Sequence, residues 1–188
     1  GVLVIAFGSA TRLISRVQAG LKVYRGRFRL GQTSDTDDAT GNILQESPWE
    51  SVTEADLRKT LSQYVGRIEQ IPPQFSAVHV QGKRAYELAR AGEVAEIAAK
   101  PVEIQSIELE AFTPPEFALH VVCGSGTYIR SLGRDVGTQL GCGALMTELR
   151  REQVGPFTLA GASSPEGLSQ EVLQRGWLPP AIALAGLR

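Results

Sequence analysis

The sequence predicts an α+β protein in which a mixed, largely antiparallel sheet carries helices. Three observations lead there. From Lys22 to Leu30 the residues alternate, with Tyr24, Gly26, Phe28 and Leu30 on one face and Arg25, Arg27 and Arg29 on the other. That period of two is the signature of a half-buried strand with a basic outer side. Residues 102–112 and 117–123 flank Pro114-Pro115 and read as two strands of a hairpin. Two helical stripes, Leu57-Leu61-Tyr64-Val65 and Ile129-Leu132-Val136-Leu140, are each followed by a glycine, Gly66 and Gly141, that can stop a helix.

Taken in order, residues 1–7 form a short apolar run, and Ser9 ahead of Ala10-Thr11-Arg12-Leu13-Ile14 reads as a capped helix start, so a strand leading into a helix is expected. Thr53-Glu54-Ala55-Asp56 has the spacing of a capping box at the head of the first stripe. Residues 71–92 interleave aromatic, polar and basic side chains and end in a helix that Gly92 stops. Gly124-Ser125-Gly126 breaks the second strand of the hairpin, which puts Tyr128 and Arg130 at a strand-to-helix junction. Ser164 with Pro165 in the first turn predicts a last helix through Leu168, Val172 and Leu173, ending near Gly176.

A chain of 188 residues is long enough to bury one sizeable core. Its net charge of −1 excludes a protein that coats nucleic acid by bulk electrostatics, so any RNA site must be a local patch. Basic residues do gather locally, at Arg25, Arg27 and Arg29, at Lys83 and Arg84, at Arg130 and Arg134, and at Arg150 and Arg151. Cys123 and Cys142 lack the close Cys or His spacing of a zinc site and fit a reduced, cytoplasmic setting; no metal is expected. No apolar run approaches the roughly 20 residues of a membrane span. The acidic tract Asp35-Thr36-Asp37-Asp38-Ala39-Thr40-Gly41 lacks the later glutamate of a calcium loop and reads as a polar hairpin loop.

Residue chemistry alone leaves alternatives open. Backbone amides after Gly124-Ser125-Gly126 favour an anion or RNA pocket, but a glycine-broken strand end holding a buried Tyr128 is more often a piece of scaffold. In residues 71–92 the aromatics can stack bases while Lys83 and Arg84 neutralise phosphates, or the whole stretch can be an exposed loop with a solvated basic end. Arg150-Arg151 can be a plain solvated pair.

Taken together, these segments resemble the TruB family of tRNA pseudouridine synthases in order and spacing over nearly the whole chain. GVLVIAFGSATR at residues 1–12 resembles the strand and helix after the family's catalytic-aspartate loop, and Lys22-Val23-Tyr24 its Lys-x-Tyr motif. RLGQTSDTDDATG at residues 29–41 resembles the loop that follows. IPPQFSAVHVQGKRAYELARAG at residues 71–92 resembles its RNA-gripping insertion, GTYIRSLGRDVG with LGCGA its third signature, and Leu149-Arg150-Arg151 completes the series.

The resemblance implies the pseudouridine synthase fold, with flanking helices and a central RNA-binding cleft, across residues 1–188, including an insertion at about 68–100. It implies cofactor-free isomerisation of a uridine in the T-arm loop of tRNA by a monomeric protein. Carried over residue by residue, Tyr24 stacks on the flipped uracil, Tyr128 lies on its other side as the acid–base group, Arg130 pairs with the catalytic aspartate and Leu149 walls the pocket. Asp38, His79, Gln81, Lys83, Arg84, Arg150 and Arg151 are expected at the RNA. The family's nucleophile stands in a Gly-x-Leu-Asp-x-x-Ala-x-Gly motif whose last glycine aligns with Gly1. This chain by itself is therefore expected to be inactive, with Arg130 turned to water, to Asp135 or to an anion. The small carboxy-terminal RNA-binding domain of many members is expected to be absent. Two rival readings accompany this one: a non-catalytic tRNA-binding or folding module, and the RNA-guided archaeal and eukaryotic branch, against which the insertion argues.

Overall fold

Strand β1, Lys22–Leu30, is the organising element, and in a computed structural model that describes residues 1–176 and Pro179 it lies inside a six-stranded sheet. Its neighbours are β8, Glu116–Cys123, and β9, Ala144–Val154, both antiparallel to it. β7, Lys100–Thr113, pairs with β8 around the Pro114-Pro115 turn, β4, Gly66–Gln70, closes one edge, and β10, Phe157–Thr158, closes the other. Every pairing in this sheet is antiparallel; a parallel contact occurs as the isolated bridge between Asp38 and Met146. Two small ribbons stand outside it: β2, Gln32–Ser34, with β3, Ile43–Glu46, and β5, His79–Val80, with β6, Lys83–Arg84.

The alternation of β1 becomes two different faces. On the inner side Gly26, Phe28 and Leu30 are buried with Phe117, Leu119, Val121 and Cys123 of β8, and the Phe28 and Phe117 rings stack at 5.1 Å across the strand pair. Helices α2, Glu54–Ser62, and α4, Ile129–Gln139, cover this side. On the outer side the basic row is paired off: Arg25 with Glu110 at 2.8 Å and Glu152 at 3.5 Å, Arg27 with Glu148 at 3.6 Å, and Arg29 with Glu116 at 2.8 Å. The local positive patch that β1 promises is thus cancelled by glutamates of β7, β8 and β9.

α4 sits close on the sheet because glycines line its contact. A Cβ on Gly133 would lie 2.4 Å from the Phe28 ring, and one on Gly137 would lie 2.1 Å from the backbone nitrogen of Ala144. Helix α2 opens with the expected capping box, Thr53 accepting from the Asp56 amide and Asp56 from the Thr53 amide. It ends at Ser62, four residues before Gly66, which instead opens β4 with φ +99°.

Two expected helix starts fall elsewhere. Residues 1–7 form no strand, and the Val2 amide donates to the Arg151 carbonyl at 2.7 Å. The chain then enters a 3-10 turn, Gly8–Leu13, in which Thr11, not Ser9, makes the side-chain bond, before α1, Ile14–Ala19. Near the other end a 3-10 turn, Pro165–Gly167, precedes α5, Gln170–Arg175, whose cap is Ser169 and not Ser164. Of the tract Trp177-Leu178-Pro179-Pro180, all but Pro179 lies outside the described residues. Among the described residues no helix is long and apolar enough to cross a membrane.

Residues 71–99 leave the sheet and return to it between β4 and β7, where Gln70 faces Lys100. They have a small core of their own, Ala85, Ala95 and Ile97 with Val78, Val80 and Leu88, around α3, Ala85–Arg90. Gln74 closes the base, its amide bonded to both the N–H and the C=O of Ala95 at 2.9 Å.

Candidate active site

Strand β1 and helix α4 set the direction in which Tyr24 lies from Tyr128. A Cβ on Gly26 would lie 3.6 Å from Ile129 Cγ2, and Gly133 lies over Phe28, so α4 runs along β1 from residue 129 to 133 as β1 runs from 26 to 28. Four helical residues rise ~6 Å and two strand residues ~6.7 Å, so the directions and lengths agree. One strand repeat further on is Tyr24, at the end where Tyr128 caps the helix. Tyr24 is half-buried against the main core, and across it the register places Arg151 on β9 and Val121 on β8. Leu149 faces Gly26, on the Tyr24 side of the sheet, and remains 44% exposed. Lys22, two residues before Tyr24, turns its ammonium to the carbonyls of Gln18 and Gly20 and so ties the end of α1 to the strand. Burial lowers its pKa; the Cys123 sulfur opposes that and Arg151 adds to it.

Arg130 makes three hydrogen bonds. Its Nη1 donates to Asp38 Oδ2 and to the Thr36 carbonyl, and its Nη2 to the Phe75 carbonyl, each at 3.0 Å. Arg130 and Asp38 are only 23% and 15% exposed. Asp38 is filled on both oxygens, since Oδ1 accepts from Thr36 Oγ1, Thr40 Oγ1 and the Thr40 amide. Burial would raise the Asp38 pKa, but the Thr40 and Thr36 hydrogen bonds and the Arg130 charge outweigh it and hold the carboxyl below its usual range. The expected partners of Arg130 therefore give way to Asp38, because Asp135 is taken by Arg134 at 2.9 Å.

Arg134 also binds Asp37 at 2.9 Å, so two arginines one helical turn apart grip two consecutive aspartates of the loop between β2 and β3. That loop is pinned to β9 by the Met146 amide donating to the Asp37 carbonyl and the Ala39 amide to the Met146 carbonyl. Burial raises the pKa of Asp37 and of Asp135, with Arg134 pulling both back.

The basic residues of the expected RNA set divide. His79, Gln81, Lys83 and Arg84 all stand exposed on the β5–β6 ribbon, whose turn is made by Gln81 at φ 51° and Gly82 at φ 84°. Arg84 and Arg90 flank the Tyr86 ring, with guanidinium carbons 6.0 and 5.4 Å from its centre. Arg150 is exposed and faces Arg25 on the outer side of the sheet. Arg151 points the other way and donates from Nε to the Val2 carbonyl at 2.8 Å. Asp38 is committed to Arg130 inside the protein. Gln70, and the roles of Thr36, Asp37 and Thr40 around Arg130 and Arg134, carry no signal in the sequence that points to the site.

A family model for TruB family pseudouridylate synthases (N-terminal domain) matches residues 1–129, and one for the tRNA pseudouridylate synthase B C-terminal domain matches residues 130–177. The chain belongs to the TruB family. The boundary between the two matched segments falls at the first turn of α4, and β9 from the second segment lies beside β1 from the first, so both build one sheet. Among curated relatives, tRNA pseudouridine synthase B of Thermobifida fusca (strain YX) is 43% identical over 179 residues, covering 91% of this chain and 61% of the relative. That of Synechococcus sp. (strain CC9311) is 44% identical over 196 residues, covering 100% and 65%. The chain thus spans less than two thirds of the length of these TruB relatives. A solved structure, the crystal structure of a Cbf5-Nop10-Gar1 complex, is 25% identical with a TM-score of 0.69, over 95% of this chain and 47% of that one.

Proposed function

We propose that this chain supplies the catalytic cleft of a tRNA pseudouridine synthase, which flips a uridine out of the T-arm loop and isomerises it without a cofactor. The observation that carries this reading is the arrangement in which Tyr24 and Leu149 lie toward the α4 terminus bearing Tyr128 and Arg130, in a TruB chain. Two relatives at 43% and 44% identity carry the name tRNA pseudouridine synthase B, which favours tRNA as substrate; the likeness to the Cbf5 complex stands at 25%. That contrast argues for the stand-alone enzyme over the RNA-guided one.

In the reaction the N1–C1′ bond breaks, a C5–C1′ bond forms, the C5 proton leaves to solvent and N1 gains a proton. Extruding the base costs a few kcal/mol, and stacking it on the Tyr24 ring returns roughly 1–3 kcal/mol. Tyr128 is the acid–base group at the other side of the base. The exposed flank of Leu149 becomes apolar wall once RNA covers it. Arg130 commits both terminal nitrogens to Asp38, Thr36 and Phe75, and no described residue pairs with its Nε. That N–H is the donor left for a nucleophilic carboxylate, which an arginine keeps ionised in a water-poor pocket. We read the protein as a cytoplasmic monomer, in which the buried free thiols Cys123 and Cys142 remain reduced.

The insertion is the RNA grip in this reading, through His79, Gln81, Lys83 and Arg84, with Arg151 on the Tyr24 side of the sheet and Arg150 exposed on its outer side. Changing Lys83 and Arg84 together to alanine is expected to weaken tRNA binding and to reduce the log–log salt slope by about 1–2, since each neutralised phosphate contributes a slope of roughly 0.7–0.9. An affinity titration over several salt concentrations checks it, and an unchanged slope contradicts it. The function itself is tested by tritium release from tRNA labelled at uracil C5.

A further inference from the structure

Gln70, the last residue of β4, is 1% exposed, and its amide closes a two-point contact on the backbone of Tyr128. The Tyr128 amide donates to Gln70 Oε1 at 2.8 Å, and Gln70 Nε2 donates to the Tyr128 carbonyl at 3.1 Å. Tyr128 needs such a partner. It caps α4 with an extended backbone, φ −99° and ψ 109°, and with no side-chain cap of its own, so its N–H has no place in either the sheet or the helix.

Further bonds from the same turn of α4 land just beyond Gln70. Ser131 Oγ donates to the Ile71 carbonyl at 3.0 Å, Arg134 Nη2 to the same carbonyl at 2.7 Å, and Arg130 Nη2 to the Phe75 carbonyl at 3.0 Å. Each of these fixes a side chain of α4. The Gln70 contact alone grips the peptide on both sides of the Tyr128 Cα, and thereby sets where the phenol leaves the backbone. A donor and an acceptor are both required: a carboxylate keeps the acceptor and loses the donor, and a thioether of equal length loses both.

We infer that Gln70 is a positioning residue for Tyr128, holding the tyrosine's backbone so that its ring stands at one fixed place at the mouth of the cleft. The inference rests on the reading of Tyr128 as a group that acts on the target uracil. It assigns Gln70 no contact with RNA.

The test uses the complete gene product in native form and as Gln70→Met, Gln70→Glu and Leu57→Ala, the last a buried core change that loosens the fold away from the cleft. With 3-fluorotyrosine incorporated, the fluorine spectrum reports on every tyrosine of the product, Tyr24, Tyr64, Tyr86 and Tyr128 among them, and Tyr128→Phe assigns the one of interest. Gln70→Met is expected to shift or broaden the Tyr128 resonance and leave the others in place. Steady-state tritium release should show kcat lowered roughly 10- to 100-fold in Gln70→Met, the size of effect expected when a reacting group is displaced by about 1 Å, with KM for tRNA within about twofold. Gln70→Glu should regain rate as the pH falls, because the protonated carboxyl again offers a donor to the Tyr128 carbonyl. A resonance that does not move, or a kcat no lower than that of Leu57→Ala, overturns the inference. If the native protein releases no tritium, the functional reading fails, and the fluorine spectrum still decides whether Gln70 places Tyr128.

Discussion

Replacing Arg130 by alanine is expected to cost about 3 kcal/mol of folding stability, the lower end of the range for breaking a buried ion pair, because both partners keep some exposure. It is also expected to abolish isomerisation. The loss arises from what remains. Asp38 stays in the loop between β2 and β3 with its hydroxyl and amide donors but without its counter-charge, and the carbonyls of Thr36 and Phe75 lose their donor at the same time. Urea denaturation of native protein, Arg130→Ala, Asp38→Asn and the double variant should give a coupling energy above about 1 kcal/mol, since the two groups are in direct contact.

The same pair has a pH signature of fixed sign. The Asp38 pKa is lowered in the fold, so its contribution is fully present above the ordinary value of 3.8 and is lost as the pH falls below it. Asp37 and Asp135 have raised values and act in the opposite sense, opposing the fold above 3.8 and ceasing to do so as they protonate. The informative quantity is therefore the stability gap between native protein and Asp38→Asn, which should narrow as the pH is taken from 7 toward 3. A gap that stays constant would show that Asp38 is not charged in the pair.

Gly137→Ala is expected to destabilise by about 3 kcal/mol or more, at or beyond the upper end of ordinary overpacking. The added methyl would fall 2.1 Å from the Ala144 nitrogen and 2.3 Å from the Gly143 carbonyl carbon. These are backbone atoms at the head of β9 and cannot turn aside as a side chain would. The Gly137 carbonyl also accepts from the amides of Cys142 and Gly143, so moving α4 away breaks those bonds as well. Gly161→Ala, whose added methyl would meet nothing closer than 4.0 Å, serves as the comparison. Thermal unfolding should separate the two clearly, and equal melting temperatures would mean that α4 does not sit as close to the sheet as described.

Local periodicity made much of the fold legible. The two faces of β1, the hairpin at Pro114-Pro115, the capping box at Thr53 and the helix after Tyr128 all follow from residues a few positions apart. Caps were misread at both ends of the chain: Ser164 looks as good on paper as Ser169, which caps α5, and near the start no side chain caps either the 3-10 turn after Phe7 or α1, so Ser9 has no such role. Polar partners were out of reach for a different reason. Arg130 and Asp38 are 92 residues apart and Gln70 and Tyr128 are 58 apart, and neither pair has a local signal. Asp38 reaches Arg130 only because the loop from β2 to β3 bonds to Met146 on β9, and the neutralisation of Arg25, Arg27 and Arg29 depends on strand register. The residues expected in the site were named from motif resemblance; the network that holds them had to be seen.

The most direct measurement gives the complete gene product tRNA carrying tritium at uracil C5, beside the same tRNA with the T-loop target uridine replaced by cytidine. Release approaching one tritium per tRNA is expected from the first substrate and none above background from the second, with release from the first strongly slowed in Tyr24→Leu. Tight binding of the first tRNA with no release of tritium would contradict it and leave a tRNA-binding module in place of an isomerase.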